Sequence, residues 1–74
     1  MASRFHIVQS IKAKEAYLQM FFRFGKTGNT YILEDTFNKD GKLVFVYANA
    51  KEFMPKTRTK EVDPESEILE MTTF

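Results

Sequence analysis

The residues with the clearest capacity to bind a ligand are three bases that alternate with threonine late in the chain. If this segment is extended, Lys56, Arg58 and Lys60 point to the same side, because side chains alternate along a strand. A row of bases of this kind is suited to phosphate groups. The segment from 56 to 60 is therefore predicted to be a basic connector that can face an anionic partner.

Aromatic residues alternate with a further base upstream. Read as a strand, residues 17–24 place Tyr17, Phe21 and Arg23 together on the side opposite the apolar core. Aromatic rings beside bases on one sheet face are how sheets that stack nucleobases are built. The predicted binding site, for protein or nucleic acid, combines both segments: Tyr17, Phe21, Arg23, Lys56, Arg58 and Lys60.

The distribution of charge leaves the partner of this site open. All eleven Lys and Arg residues lie in residues 1–60 with five acids, whereas residues 61–74 hold the other five acids and no base. The formal net charge of +1 thus joins a body of +6 (11 − 5) to a tail of −5. Either the tail neutralises the connector, or the connector remains available to an anionic partner.

Other chemistries find little support. Gly25-Lys26-Thr27 resembles the end of a phosphate-binding loop, but Met20 occupies the position where that loop needs its first glycine. The spacing of a calcium loop around Gly41 fails as well, because Thr36 and Tyr47 stand at its first and last ligand positions. Both segments are predicted to be turns.

His6 is the only histidine, and the chain has no cysteine. One imidazole without a second soft ligand does not make a transition-metal site, and no neighbouring motif orients it as a general base. We expect His6 on the surface of the first strand. The sequence predicts a protein that is not an enzyme, with no catalytic residue, no metal and no cofactor.

The elements that position these residues are best indicated by residues 38–41, Asn-Lys-Asp-Gly. They predict a hairpin with a three-residue loop and a glycine bulge, which sets Asn38 opposite Lys42. Asp35 then falls in phase with the apolar side: either it is a buried anchor or paired switch, or, as we expect, a bulge or a splayed strand turns it outward. One face of the hairpin should carry the large apolar residues: Tyr31, Leu33, Phe37, Leu43, Phe45 and Tyr47.

The remaining elements are shorter. Residues 4–11 are predicted to form a strand, and residues 12–24 fit either a helix or a strand, of which the strand aligns better with the hairpin. Asn49 and Glu52 have the spacing of a capping box, so a short helical turn ending at Pro55 is expected. Asp63-Pro64-Glu65 predicts the start of a helix to about residue 71, and residues 68–74 as an edge strand are the alternative.

Together these elements predict an α+β fold in a single domain of residues 1–74: a small antiparallel meander of about four strands with one or two short helices, the last at the C-terminus. One short helix cannot cover both partly apolar faces of such a sheet. We therefore expect a regulatory protein-binding module, such as an inhibitor or adaptor, whose partner is another protein or a second copy in a homodimer.

The alternative is a small nucleic-acid-binding β domain that uses the same residues. Its binding would weaken steeply with salt, whereas an apolar interface would not. The apolar stretches are far too short to span a membrane, and no signal peptide is evident. We expect no membrane partner, and we expect a cytoplasmic location.

Overall fold

The computed structural model describes residues 5–73, which form one six-stranded antiparallel sheet. Its spatial order is β1-β6-β2-β3-β4-β5, so the last strand lies between the first two. The strands are β1 (Phe5–Lys12), β2 (Phe21–Arg23), β3 (Tyr31–Lys39), β4 (Lys42–Asn49), β5 (Arg58–Val62) and β6 (Glu67–Thr73).

The sheet is curled. In a flat sheet β5 and β6 would lie four strand spacings apart, about 19 Å. The chain joins them through a turn in which Ser66 N–H donates to the Asp63 carbonyl at 3.0 Å. Such a turn keeps its ends within about 7 Å, so Val62 and Glu67 lie within about 15 Å of each other. The sheet therefore has a concave inner face and a convex outer face.

The inner face carries the core. Phe22, Leu33 and Phe45 have no exposed surface, and the Phe22 ring packs edge-on against Phe45 with 5.5 Å between centroids. The segment between β1 and β2 closes one side, because Ala13 N–H donates to the Ser66 carbonyl at 2.8 Å. The buried inner cluster comprises Ala13, Met20, Phe22, Leu33, Phe45, Tyr47 and Ile68.

The α+β prediction is wrong: the protein is nearly all-β. The described residues contain no α-helix, and their helical structure is the single 3-10 turn Ala13–Glu15. The sheet has six strands rather than about four. The predicted strand over residues 4–11 is confirmed as β1 within the described residues.

The predicted C-terminal helix is strand β6. Asp63 does accept a hydrogen bond from the Glu65 N–H at 2.9 Å, but the cap closes a turn and the chain then extends. Ile68 packs in the inner core, whereas Leu69 pairs with Arg23 on the other face. The alternative of an edge strand is also wrong in position, since β6 has β1 and β2 on its two sides.

The hairpin turn is one residue shorter than predicted. Lys39 pairs with Lys42, leaving Asp40 and Gly41 as a two-residue loop. Both have positive φ, 53° and 78°, as the type I′ turn of a tight hairpin requires. Phe37 consequently lies opposite Val44 on the outer face, apart from the inner residues with which the sequence grouped it.

Asp35 confirms the predicted bulge. The pairing of β3 with β4 shifts between Leu33 and Asp35, and Asp35 is exposed. The inserted residue reverses which face each later side chain of β3 occupies. Tyr31 and Leu33 therefore point inward, while Phe37 points outward.

Two loop predictions also change. Residues 12–24 are neither one helix nor one strand: the 3-10 turn and an irregular segment precede the short strand β2. Residues 50–57 form an irregular loop in place of the helical turn, although Asn49 Oδ1 still accepts a bond from Lys51 N–H at 2.9 Å. The later part of the predicted connector is edge strand β5.

Candidate binding surfaces

The structure divides the six predicted site residues among four places. Phe21 and Arg23 lie on the outer face, since Phe22 between them is in the core. The other four lie elsewhere: Tyr17 in the segment between β1 and β2, Lys56 in the β4–β5 loop, and Arg58 and Lys60 on β5, paired with the inner-face residues Tyr47 and Phe45. The single aromatic and basic surface expected from the sequence is therefore not formed.

Tyr17 has a structural partner. Its hydroxyl donates to a carboxylate oxygen of Glu70, and Gln9 Nε2 donates to the other oxygen at 2.8 Å. The hydrogen bond to the carboxylate raises the pKa of Tyr17, and the same bond lowers the pKa of Glu70. Tyr17 thus fastens the segment after β1 to strand β6.

Arg23 is also engaged. Its Nε donates to Thr30 Oγ1 at 2.8 Å, and Thr30 is fully buried. A longer bond of 3.4 Å reaches from the Arg23 guanidinium to the carbonyl of Lys26. Arg23 therefore stabilises the loop between β2 and β3, which reduces its availability to a ligand.

The outer face carries a row of apolar side chains across five neighbouring strands. Cross-strand pairing aligns each member with the next, from the β1 edge to β4. The members of this outer row are Ile7, Met71, Phe21, Ile32 and Ala48.

The outer row is partly open to solvent. Ile7 is 52% exposed, and Phe21 and Ile32 are half-buried. The Phe5 ring packs against Phe21 with 5.0 Å between centroids, which extends the apolar surface along β1. The other two members, Met71 and Ala48, are buried, with 4% and 0% of their surface exposed, so the solvent-facing part of the row is limited to the remaining three.

The two edges of the sheet differ. Residues 5–11 of β1 include no Lys, Arg, Asp or Glu, whereas β5 carries Arg58, Lys60 and Glu61 in five residues. Charged side chains on an edge strand discourage pairing with another chain, and an uncharged edge permits it. The β1 edge adjoins the outer row at Ile7, so these two surfaces are continuous.

The acidic tail pairs away from the basic connector. Glu65 contacts Lys12 at 2.9 Å and Lys14 at 2.7 Å, and Glu61 lies 3.6 Å from Lys42. The hydrogen bond from Lys14, followed by that from Lys12, lowers the pKa of Glu65. Part of the acidic tail is thus neutralised, near the turn between β5 and β6, by lysines that lie outside the basic connector.

Lys56, Arg58 and Lys60 take part in none of the ion pairs among residues 5–73. Lys60 Nζ lies 4.4 Å from the centroid of the Phe24 ring, a cation–π contact. Arg58 is paired with Tyr47. Burial raises the pKa of Tyr47, and the positive charge of Arg58 acts in the opposite direction. The two β5 bases therefore line the rim of an aromatic cluster: Phe22, Phe24, Tyr31 and Tyr47.

The loop before β5 carries an apolar tip that the sequence reading missed. Phe53 is 97% exposed and Met54 is 80% exposed. The sequence does contain a Phe-Met-Pro run between Lys51 and Lys56, but the helical turn expected there gave no reason to predict an exposed apolar tip. We call residues 51–60 of this loop and strand the basic arm.

His6 lies exposed on β1, as expected. Among residues 5–73 no group of three or more His, Cys, Asp or Glu is arranged to hold a metal ion. The described part of the chain also contains no helix of the length and apolarity needed to cross a membrane.

Comparison with known proteins finds no match to this chain among family models, curated proteins or solved structures. Its function must therefore be inferred from its own surfaces, of which the outer row and the basic arm are the two candidates.

Proposed function

We propose that this chain is a small, non-enzymatic protein-interaction module that binds a partner protein through its outer face and the adjoining β1 edge. The observation that carries the proposal is the outer row, an apolar band across five strands whose members Ile7, Phe21 and Ile32 remain partly exposed. The proposed role is that of an inhibitor, adaptor or other regulatory accessory protein, acting in the cytoplasm.

The composition of this face supports a protein as the partner. Apolar residues with charges displaced to the rim are typical of the centre of a protein interface. Large contiguous apolar patches on small domains commonly mark such interfaces. The uncharged β1 edge offers a partner strand main-chain hydrogen bonds beside the apolar contacts.

A photocrosslinking side chain placed at Ile7 tests the proposal. Leu18 is a matched control, because it is also apolar and is 51% exposed but lies on the segment between β1 and β2. Crosslinking from Ile7 in a source-cell extract is expected to give a discrete, saturable adduct with one protein. Equal labelling from Leu18, or diffuse labelling from both positions, would contradict the proposal.

The recovered partner then permits a quantitative test. Ile7→Glu buries a charge at the interface and is expected to weaken binding at least about 30-fold, as for a contact worth about 2 kcal/mol. Leu18→Glu should leave the affinity within about threefold. Because the interface is apolar, binding of the unmodified chain should change little between low and high salt. A mass from light scattering shows whether the partner is a second copy of this chain.

A further inference from the structure

The basic arm forms a surface separate from the outer row, and its chemistry is different. We infer that this arm is a second binding site, which takes single-stranded nucleic acid. The carrying observation is that one ten-residue segment holds bases that lie outside every ion pair among residues 5–73 together with an almost fully exposed aromatic ring.

The charge of the arm is complementary to a phosphate backbone. Residues 51–60 contain Lys51, Lys56, Arg58 and Lys60, opposed only by Glu52. Arg58 and Lys60 lie on the same side of β5, about 7 Å apart along the strand. The acids that follow the arm are engaged elsewhere: Glu61 and Glu65 pair with lysines outside it, and Asp63 accepts a hydrogen bond from the Glu65 N–H. A polyanion therefore meets a row of bases with little competition.

Phe53 supplies the second requirement. Its ring is 97% exposed, so both of its faces are accessible to a base. Stacking on an aromatic side chain needs one exposed ring per base and tolerates any sequence. Bases inside a duplex are already stacked on each other, so Phe53 can reach only unpaired bases.

Two other anionic partners fit these residues less well. A lipid surface requires an apolar anchor of substantial area, and the tip offers only Phe53 and Met54. A duplex is commonly read by a helix in its major groove, and residues 5–73 contain no α-helix. Arg58 and Lys60 instead repeat along one side of β5, a spacing that the backbone of an extended single strand can follow.

Fluorescence anisotropy with labelled oligo(dT) and oligo(U) of about twelve nucleotides tests the inference. With four phosphate contacts, affinity should fall about 50-fold between 50 and 200 mM salt, because each contact releases counterions. The double variant Arg58→Ala/Lys60→Ala should retain a fall of only about sevenfold over that range. Lys12→Ala/Lys14→Ala is the matched control: it removes the same charge from bases already paired with Glu65, and should bind like the unmodified chain.

Substitutions of Phe53 distinguish base stacking from the general electrostatic attraction of the bases in the arm. Phe53→Ala should weaken oligonucleotide binding by about tenfold, within the range for loss of one stacked base. Phe53→Tyr keeps the ring and should restore most of the affinity, whereas Phe53→Leu keeps only the apolar character and should behave like alanine.

Four outcomes would overturn the inference. These are absence of binding at 50 mM salt, tighter binding to a duplex of the same length, an equal loss in the Lys12/Lys14 control, and full affinity in Phe53→Leu. If the protein sediments with vesicles of anionic phosphatidylglycerol and binds no oligonucleotide, the arm is assigned to a membrane surface instead. Because Ile7 lies outside the arm, failure here leaves the proposed outer interface untouched.

Discussion

Phe21 and Phe22 are adjacent in the chain and identical in type, yet they belong to different regions. Phe22 is fully buried on the inner face, within 6.0 Å, centroid to centroid, of the rings of Phe24, Tyr31, Phe45 and Tyr47. Phe21 is half-buried on the outer face, where it packs against Phe5. The inner face is covered by the chain itself, while the outer face keeps part of its apolar surface exposed to solvent.

The comparison predicts its largest effect at these two positions. Phe22→Ala should lower the free energy of unfolding by about 3–5 kcal/mol, because it leaves a cavity among packed rings. Phe21→Ala should cost roughly half as much, since part of its ring already contacts water. Denaturant unfolding followed by circular dichroism measures both. Equal losses at the two sites would show that the faces do not differ in packing.

Phe37 sharpens the comparison, because the sequence placed it inside and the structure places it outside. It is 43% exposed, so Phe37→Thr should change the free energy of unfolding by about 1 kcal/mol or less. The reference variant is Phe45→Thr, which opens the fully buried core and should cost at least about 3 kcal/mol. If Phe37→Thr destabilises as much as Phe45→Thr, the bulge in β3 is misplaced.

The smallest predicted effect concerns acid. Glu65 and Glu70 fasten the segment between β1 and β2 to the rest of the sheet, and both have a lowered pKa in the folded state. A lowered carboxyl pKa stabilises the fold above the unfolded value of about 4.5, and this contribution disappears as pH falls through the lower folded value. Both side chains are near the surface, so the effect should be modest.

A pH series of unfolding midpoints from 7 to 3 measures this contribution. Glu65→Gln should flatten the acid limb, because it removes one of the titrating groups. Glu67→Gln is the matched control, because Glu67 accepts a hydrogen bond from Ser10 but forms no ion pair among residues 5–73. An identical acid limb in Glu65→Gln and the unmodified chain would exclude Glu65 from this role.

The sequence predicted features that depend on near neighbours. Alternation identified the first strand, the central hairpin and most of its inner residues, and the charge of Asp35 in an apolar phase correctly indicated a bulge. The capping signals were misleading because the sequence of a capped turn is the same whether a helix or a strand follows it. Asp63 caps a turn of four residues, and the partners that make residues 67–73 a strand are far away in the chain.

The six candidate site residues lie apart for a related reason. Three of them were grouped by assuming one continuous strand over residues 17–24, and the other three by assuming an extended connector over residues 56–60. The structure has a strand of only three residues in the first segment, and the β5 bases of the connector pair with inner-face residues, whereas Phe21 lies on the outer face. The outer row could not be predicted, because it depends on β6 lying between β1 and β2. The exposure of Phe53 could be predicted from its neighbours only after the helical turn had been excluded.

The position of β6 has a consequence for how the molecule is made. β1 is synthesised first, yet the strand beside it is synthesised last, and Phe5 pairs with Thr73. On the ribosome, the hairpin of β3 and β4 can close as soon as it emerges, whereas β1 must wait for almost the whole chain. The order of translation and the order of assembly therefore differ, and contacts this distant in sequence slow folding. Until β6 has been synthesised, β1 lacks its neighbour and its residues 5–11 carry no Lys, Arg, Asp or Glu, so this is when the nascent chain is most exposed to mispairing.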